Sequence, residues 1–354
     1  MQTDMHYWGA YALARAAGIK RRAAQIIASA SEYVDDAVLD ESVHIGDGRS
    51  ILVEMTAHKM LDFKNTDSDD QRRVWLPFHF LPGGNGSSAI EKLVCGKDSK
   101  VARQLVAANL ARAAVAPYGR QLLGITAHVY ADTFSHWGFI GANHSHNRVK
   151  DGSIKLQVAD GSVLSYIQRK AGRFFENLVL AGVGHALPLG HGAVATYPDR
   201  PYLSWSYRED FGRGRRVVRD NQADFLDGCK ALHKMFGQYV ANVPADSDGG
   251  GRTWAQIRPK VEAVLAVEGD KQKRIAAWQQ AIEAGDLRGV GESPAKYLGH
   301  AWSAKVEELR QTTPSSSPPV GQLAALPVYR FCQAARHHRL ALLELLPSHG
   351  LVAA

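Results

Sequence analysis

Apolar residues recur along most of this chain at three- and four-residue steps, the spacing of amphipathic helices rather than of strands. The pattern predicts helix over residues 7–35, broken at Gly18, with an Ala-rich first half and an Ile- and Ala-rich second half from Arg21 to Val34. Further helices are predicted over 101–116, 118–134, 165–182, 218–242, 253–266, 270–284, 294–311 and 327–346. Residues 41–74 are more polar, with Gly46-Asp-Gly48 and the acidic run Asp67 to Asp70, and read as an irregular excursion. A period of two emerges at one place, Ile154 to Val158 and Ser162 to Leu164 about Asp160-Gly161, which predicts a hairpin. Thr312 to Pro319 is a linker by composition. The expected fold class is therefore all-α, a helical bundle with long loops and at most one small hairpin. The expected organisation is a helical domain over 1–311, a linker over 312–322, and a C-terminal helix and tail over 323–354.

One helical segment carries chemistry. His128, Asp132 and His136 follow one another at steps of four, and each step turns a helix by about 400°, so the three project from one stripe roughly 6 Å apart. The stripe lies within the apolar run Leu122 to Phe139, where an unpaired carboxylate is costly to bury. A divalent cation offsets that cost, and imidazole with carboxylate suits zinc, manganese or iron. The competing reading is an ordinary core in which His128 and Asp132 bond to each other. His79 sits between Phe78 and Phe80, too apolar a setting for a casual surface histidine. His185 and His191 flank Pro188 in a Gly-rich loop, and Asp199 follows in Pro198-Asp-Arg-Pro201. Asp35-Asp36 closes the first long helix, where paired acids oppose the helix dipole and call for a cation. His6, beside Asp4, is the weakest candidate, an N-terminal histidine expected to be exposed. Trp137, Phe139 and Trp205 would line an apolar mouth or belong to the core.

The order of acid pair, His-Phe, His-x-x-x-Asp and then further His and Asp resembles the superfamily of zinc-dependent phospholipases C and single-strand-specific nucleases. More closely, Asp4-Met-His-Tyr7, Glu32-Tyr-Val-Asp-Asp36, Pro77-Phe-His-Phe-Leu-Pro82, His128 to Phe139, and Gly190-His-Gly192 with Pro198 to Tyr202 resemble an uncharacterised bacterial family, domain of unknown function 6765, over roughly residues 4–310. The superfamily resemblance implies an all-helical fold with one to three zinc ions. It implies one site of Asp35 (or Asp36), His79, His128 and Asp132, with Asp132 bridging to a neighbouring ion that His6 ligates. It implies another of His136, His191 and Asp199, with His185 as alternate. Three departures stand out: superfamily enzymes ligate metal through the amine of a processed N-terminal Trp, whereas Met1 leads here and Trp8 is internal; their histidine after His-x-x-x-Asp falls two residues later than His136; and their last pair is four residues apart, against eight for His191 and Asp199.

The resemblance implies a phosphoester or phosphodiester hydrolase, with Asp132 in the machinery and Arg200 positioning a phosphate by bidentate contact; the competing reading of Arg200 is a surface side chain after a turn. The substrate would be phospholipid, nucleic acid or a small phosphoester. A catalytically silent, metal-stabilised binding protein and a secreted phospholipase-type effector are the alternatives. Bulk properties narrow this little. With 354 residues, 45% hydrophobic and 22% charged, the sequence is that of a globular chain, and its formal charge of +7 suits polyanionic partners. No secretory leader or bilayer-length apolar run is visible, and three scattered cysteines suggest neither disulfides nor a thiolate metal site, so the expected compartment is the cytoplasm. There is no His-Asp dipeptide, H-E-x-x-H or phosphate-cradling glycine loop.

Overall fold

The computed structural model describes residues 1–45, 48–58, 63–180, 188–293, 295–313 and 316–352. It is mostly helical. A π-helical turn, Asp4–Gly9, leads into α1 (Ala10–Ala16), and α2 follows over Arg21–Asp36. The other long helices are α3 (Lys100–Ala113), α4 (Gly119–Ser135), α5 (Gly161–Leu180), α6 (Asn221–Asn242), α7 (Trp254–Leu265), α8 (Lys271–Glu283), α9 (Gly299–Arg310) and α10 (Pro327–Leu345). Each expected helix is present to within a few residues. The largest shift is at α9, expected from 294 and beginning at Gly299.

Helix α4 is the axis of the molecule. Apart from Arg120, every one of its residues is buried, as a helix apolar on all sides must be. It packs against α2, α3, α6 and α10. The approach of α2 is closest at Gly124, where an added Cβ would stand 2.2 Å from the Ile27 carbonyl oxygen. A glycine inside a helix costs about 1 kcal/mol relative to alanine, and here it lets the backbones meet one turn before His128. Helix α10 packs on α3 and α4, and its fully buried His338 donates Nε2–H to Pro77 O at 3.0 Å while Nδ1 accepts from Asn109 Nδ2 at 2.9 Å. That bond fixes the backbone two residues before His79.

The β structure exceeds the single hairpin expected. Two small antiparallel sheets are present: β1 (Val43–His44) with β2 (Ser50–Ile51), and a three-stranded sheet of β3 (Lys155–Gln157), β4 (Ser204–Arg208) and β5 (Arg216–Asp220) in the order β3-β4-β5. The hairpin expected about Asp160-Gly161 does not form. Lys155–Gln157 pairs with Ser204–Ser206, and Gly161 onward is α5. Asp160 instead accepts from Ser162 N and Oγ at the start of that helix, so the local Asp-Gly turn chemistry serves a helix start. The segment expected to open a helix at 218 is still strand to Asp220, whose carboxylate accepts from Ala223 N and caps α6.

Two hydrophobic clusters result. The larger unites the helices about α4; the smaller joins Phe80, Phe139, α5 and the three-stranded sheet. Phe139 and Trp205 belong to the smaller one and are almost wholly buried, so they are core rather than a mouth. Trp137 is half-buried, gives its Nε1–H to Asp224 at 2.7 Å, and lies 4.0 Å from the Arg219 guanidinium. No described helix is long and apolar enough to cross a membrane.

Candidate metal centre

The histidines and aspartates meet in three groups, the first two of which share His128: His6, Asp35 and His128; His79, His128 and Asp132; and His136, His191 and Asp199. α4 supplies His128 and Asp132 from its interior. His136 falls one residue past its end, yet His136 N still bonds Asp132 O at 2.8 Å and keeps the four-residue step. The exposed carbonyls of that helix end are held by Arg219, which donates to Ser135 O at 2.5 Å and Trp137 O at 3.0 Å, a buried cation where the helix dipole favours one. α2 brings Asp35. The turn after Phe78 brings His79.

Four of the histidines, His128, His79, His136 and His191, are each oriented by a backbone carbonyl on the far side of the ring. His128 Nδ1 faces Ser31 O at 2.8 Å, His79 Nε2 faces Thr56 O at 2.8 Å, His136 Nδ1 faces His79 O at 2.8 Å, and His191 Nδ1 faces Ala195 O at 2.7 Å. A carbonyl only accepts, so each of those nitrogens carries the hydrogen and the opposite nitrogen of a neutral ring presents a lone pair. The four lone pairs turn inward. His128 Nε2 and His79 Nδ1 are 3.3 Å apart, and His136 Nε2 is 3.2 Å from Asp199 Oδ1. Lone pairs facing one another in a buried site repel unless a proton or a metal cation lies between them. This outer ring of carbonyls is what orients metal-binding histidines.

The group of His79, His128 and Asp132, which Asp35 joins to make a first four-donor group, has the dimensions of a coordination shell. His79 Nδ1 lies 3.7 Å from Asp132 Oδ2 and 3.7 Å from Asp35 Oδ1; His128 Nε2 lies 3.3 Å from Asp132 Oδ2 and 3.9 Å from Asp35 Oδ1. Tetrahedral zinc with bonds of about 2.0–2.2 Å has ligand–ligand edges of about 3.3–3.6 Å. Asp132 Oδ2 is buried without a hydrogen-bond partner, as are both ring nitrogens of His6. Orphaned buried polar atoms of these types fit a cation. Asp36 points elsewhere, accepting the Tyr297 hydroxyl at 2.6 Å, so Asp35 is the member of the pair that joins the cluster.

His6 is not the exposed residue expected from its place in the chain. It is buried, stacks on the His128 ring at 3.7 Å between centroids, and sets Nε2 3.2 Å from Asp132 Oδ1. The second carboxylate oxygen of Asp132 thus faces a different set of donors from the first. The α-amine of Met1 belongs to that set, 2.6 Å from Asp132 Oδ1, 3.3 Å from Asp199 Oδ1 and 3.3 Å from His136 Nε2. Sequence reading passed over this amine because Met1 stands where the superfamily has Trp. With His191 Nε2 3.7 Å from Asp199 Oδ1, the amine, His136, His191 and Asp199 form a second four-donor group. His185 lies outside the described residues.

Electrostatics agree with a cation-seeking centre. Burial works to lower the pKa of the Met1 amine, but Asp132, Asp199 and Asp35 overcome it and push it up to about 11. Burial, His128 and the amine drive His6 down to about 3, and burial likewise lowers His191 to about 4. Burial opposes ionisation of Asp132 and Asp199, yet the surrounding histidines and the amine hold both well below the usual carboxylate range. Nearby, burial and Asp35 hold Glu32 well above its ordinary value. The ionised Asp132 and Asp199 outweigh the one ammonium, and an anionic donor set of this kind suits divalent ions.

A family described as a family of unknown function, DUF6765, matches residues 1–346. The chain belongs to it. The match embraces every described residue of this candidate metal centre and α10 as well. No curated protein and no solved structure matches the chain.

Proposed function

We propose that this member of DUF6765 is a metal-dependent phosphoester or phosphodiester hydrolase, akin to the zinc-dependent phospholipases C and nucleases, with zinc as its ion. The reading rests on Asp132, whose Oδ2 faces His79 and His128 while its Oδ1 faces His6 and the Met1 amine. A carboxylate shared in this way would serve two ions, one at each oxygen. His79, His128, Asp132 and Asp35 would hold one, and His136, His191 and Asp199 another, with His6 and the Met1 amine completing the shell about Asp132 Oδ1. When bound, such ions supply Lewis-acid polarisation of a phosphoryl oxygen and activation of water at neutral pH.

The side chains of this protein hold and orient. The carbonyl-fixed imidazoles keep their lone pairs aimed inward without reorganisation. The half-exposed Asp35 side chain opens the cluster to solvent. Arg200 is buried rather than a surface side chain. It donates to Thr196 Oγ1 at 3.2 Å, lies 5.4 Å from the Tyr166 ring, and has no carboxylate partner among the described residues. A guanidinium without a carboxylate partner, next in sequence to Asp199, would suit a phosphate. The chain's +7 charge favours phospholipid, nucleic acid and small phosphoesters alike.

A second reading is favoured by the first group, which has four protein donors and therefore the closed form of a structural zinc site. On that reading the protein is a metal-stabilised binding module. Hydrolysis of bis-p-nitrophenyl phosphate, phosphatidylcholine vesicles and single-stranded DNA, with chelator and with restored zinc, separates the two. The hydrolase reading expects turnover of at least one substrate, lost with chelator and recovered with zinc. Zinc-loaded protein inert towards all three would leave the binding module.

A further inference from the structure

The donors about Asp132 Oδ1 come from the first six residues, and chain ends fray unless tied down. Two buried ties hold this one. Arg274 of α8, 1% exposed, gives Nε to Asp4 Oδ2 at 2.6 Å and Nη2 to Asp4 Oδ1 at 3.2 Å, a bidentate pair. The same Nη2 donates to Gln2 Oε1 at 2.7 Å. From α2, Glu32 Oε1 accepts the Thr3 hydroxyl at 2.6 Å. Gln2, Thr3 and Asp4 are thus gripped in succession, with the Met1 amine on one side and His6 two residues on the other.

Arg274 also reaches the loop that carries Asp199. Its Nη1 donates to Gly269 O at 3.1 Å, and Tyr202, three residues beyond Asp199, donates its hydroxyl to the same carbonyl at 3.0 Å. One guanidinium therefore ties together the two segments that bring Met1, His6 and Asp199 to the centre. None of its nitrogens touches the donor cluster; they are spent on Asp4, Gln2 and Gly269.

We propose that Arg274, paired with Asp4, is the positioning residue of the metal site at Asp132 Oδ1, seating the N-terminal segment so that His6 and the Met1 amine are ordered before an ion arrives. The proposal rests on the metal-centre reading above. Preorganisation of this kind governs affinity without contact: outer-shell changes cost about 10–100-fold in metal binding. The group of His79, His128, Asp132 Oδ2 and Asp35 draws its orientation from Ser31 and Thr56 instead, so it is independent of Arg274.

Cobalt(II) titration of the full chain, followed by visible absorption and by metal content, tests this. The variants are Asp4→Asn, Thr3→Val and Arg274→Lys, with Arg120→Gln as a control that cuts the unrelated Arg120–Asp246 pair. Asp4→Asn is expected to weaken one cobalt ion by about 10–100-fold and leave the tightest ion unchanged. Thr3→Val should weaken the same ion by less, Arg274→Lys should fall between Asp4→Asn and wild type, and Arg120→Gln should change no cobalt affinity even if it lowers the melting temperature. Equal affinities in wild type, Asp4→Asn and Thr3→Val, or a uniform weakening of all ions, would overturn the positioning role. Wild-type protein that takes up no cobalt would remove the metal centre itself and this proposal with it.

Discussion

The two four-donor groups are built differently. The first stands on regular structure: His128 and Asp132 within α4, Asp35 at the end of α2, and His79 braced by Thr56 from behind. The second depends on chain that helix packing does not fix, namely Met1 at the terminus, His136 past a helix end, and His191 and Asp199 in the loop before β4. Sites on helices hold their geometry more tightly than sites on loops. The first group should therefore bind its ion more strongly, and the second should be the exchangeable, tunable one. Asp132 couples them.

That coupling gives the largest expected effect. Asp132→Asn keeps the shape but halves the charge-bearing donors of both groups, and should strip both ions at once and abolish any metal-dependent thermal stabilisation. Metal analysis after dialysis reads it; retention of full metal content would dissolve the comparison.

Next come changes that separate the groups. His128→Ala should remove the first group's ion and, by leaving Ser31 O without its partner, cost roughly 1–3 kcal/mol in the metal-free protein. His191→Ala should remove only the second ion, at less cost because its ring is partly exposed. Equal losses in metal and in melting temperature would mean that the groups are not distinct. A smaller effect is expected at Gly124→Ala, whose Cβ meets Ile27 O and must push α2 from α4. It should cost about 1–3 kcal/mol and weaken the first ion while sparing the second.

The gentlest probe is pH. In metal-free protein the Met1 amine rises from an ordinary 8.0 to about 11, so the stability it lends is full below about pH 8 and fades as pH climbs towards 11. Asp132 and Asp199 have depressed values, so their contribution is present above the ordinary carboxylate range and is lost as acid protonates them. Chelated protein should therefore melt highest between about pH 5 and 8. Metal-loaded protein should keep its melting temperature on the alkaline side, since metal binding displaces the amine proton. Superimposable profiles with and without metal would show that no ion reaches the amine.

The same contrast explains what could be read from the sequence. The helices were legible because packing about α4 imposes one period on many residues, and the four-residue steps of His128, Asp132 and His136 survive even where the helix stops. Local pattern also pointed to His79 and to the pair Asp35-Asp36, between which only the tertiary contact of Asp36 with Tyr297 decides. It misled at Ile154 to Leu164, because the partner of Lys155–Gln157 lies some fifty residues downstream and nothing local encodes that distance. It undervalued His6 and missed the Met1 amine, since burial of a chain terminus depends on Arg274 and Glu32, 270 and 29 residues away from the groups they hold. Arg219 and Arg274 carry no motif at all. Their meaning lies wholly in tertiary contact.

Inward-facing lone pairs converge at the junction of α2, α4 and the His79 turn, where they would hold an ion. Anomalous diffraction at the zinc edge from crystals of zinc-loaded protein tests it most directly. A peak is expected about 2.0–2.2 Å from His79 Nδ1, His128 Nε2 and Asp132 Oδ2, with a second, weaker one beside His136, His191 and Asp199. A map with these side chains in place and no peak among them would contradict it.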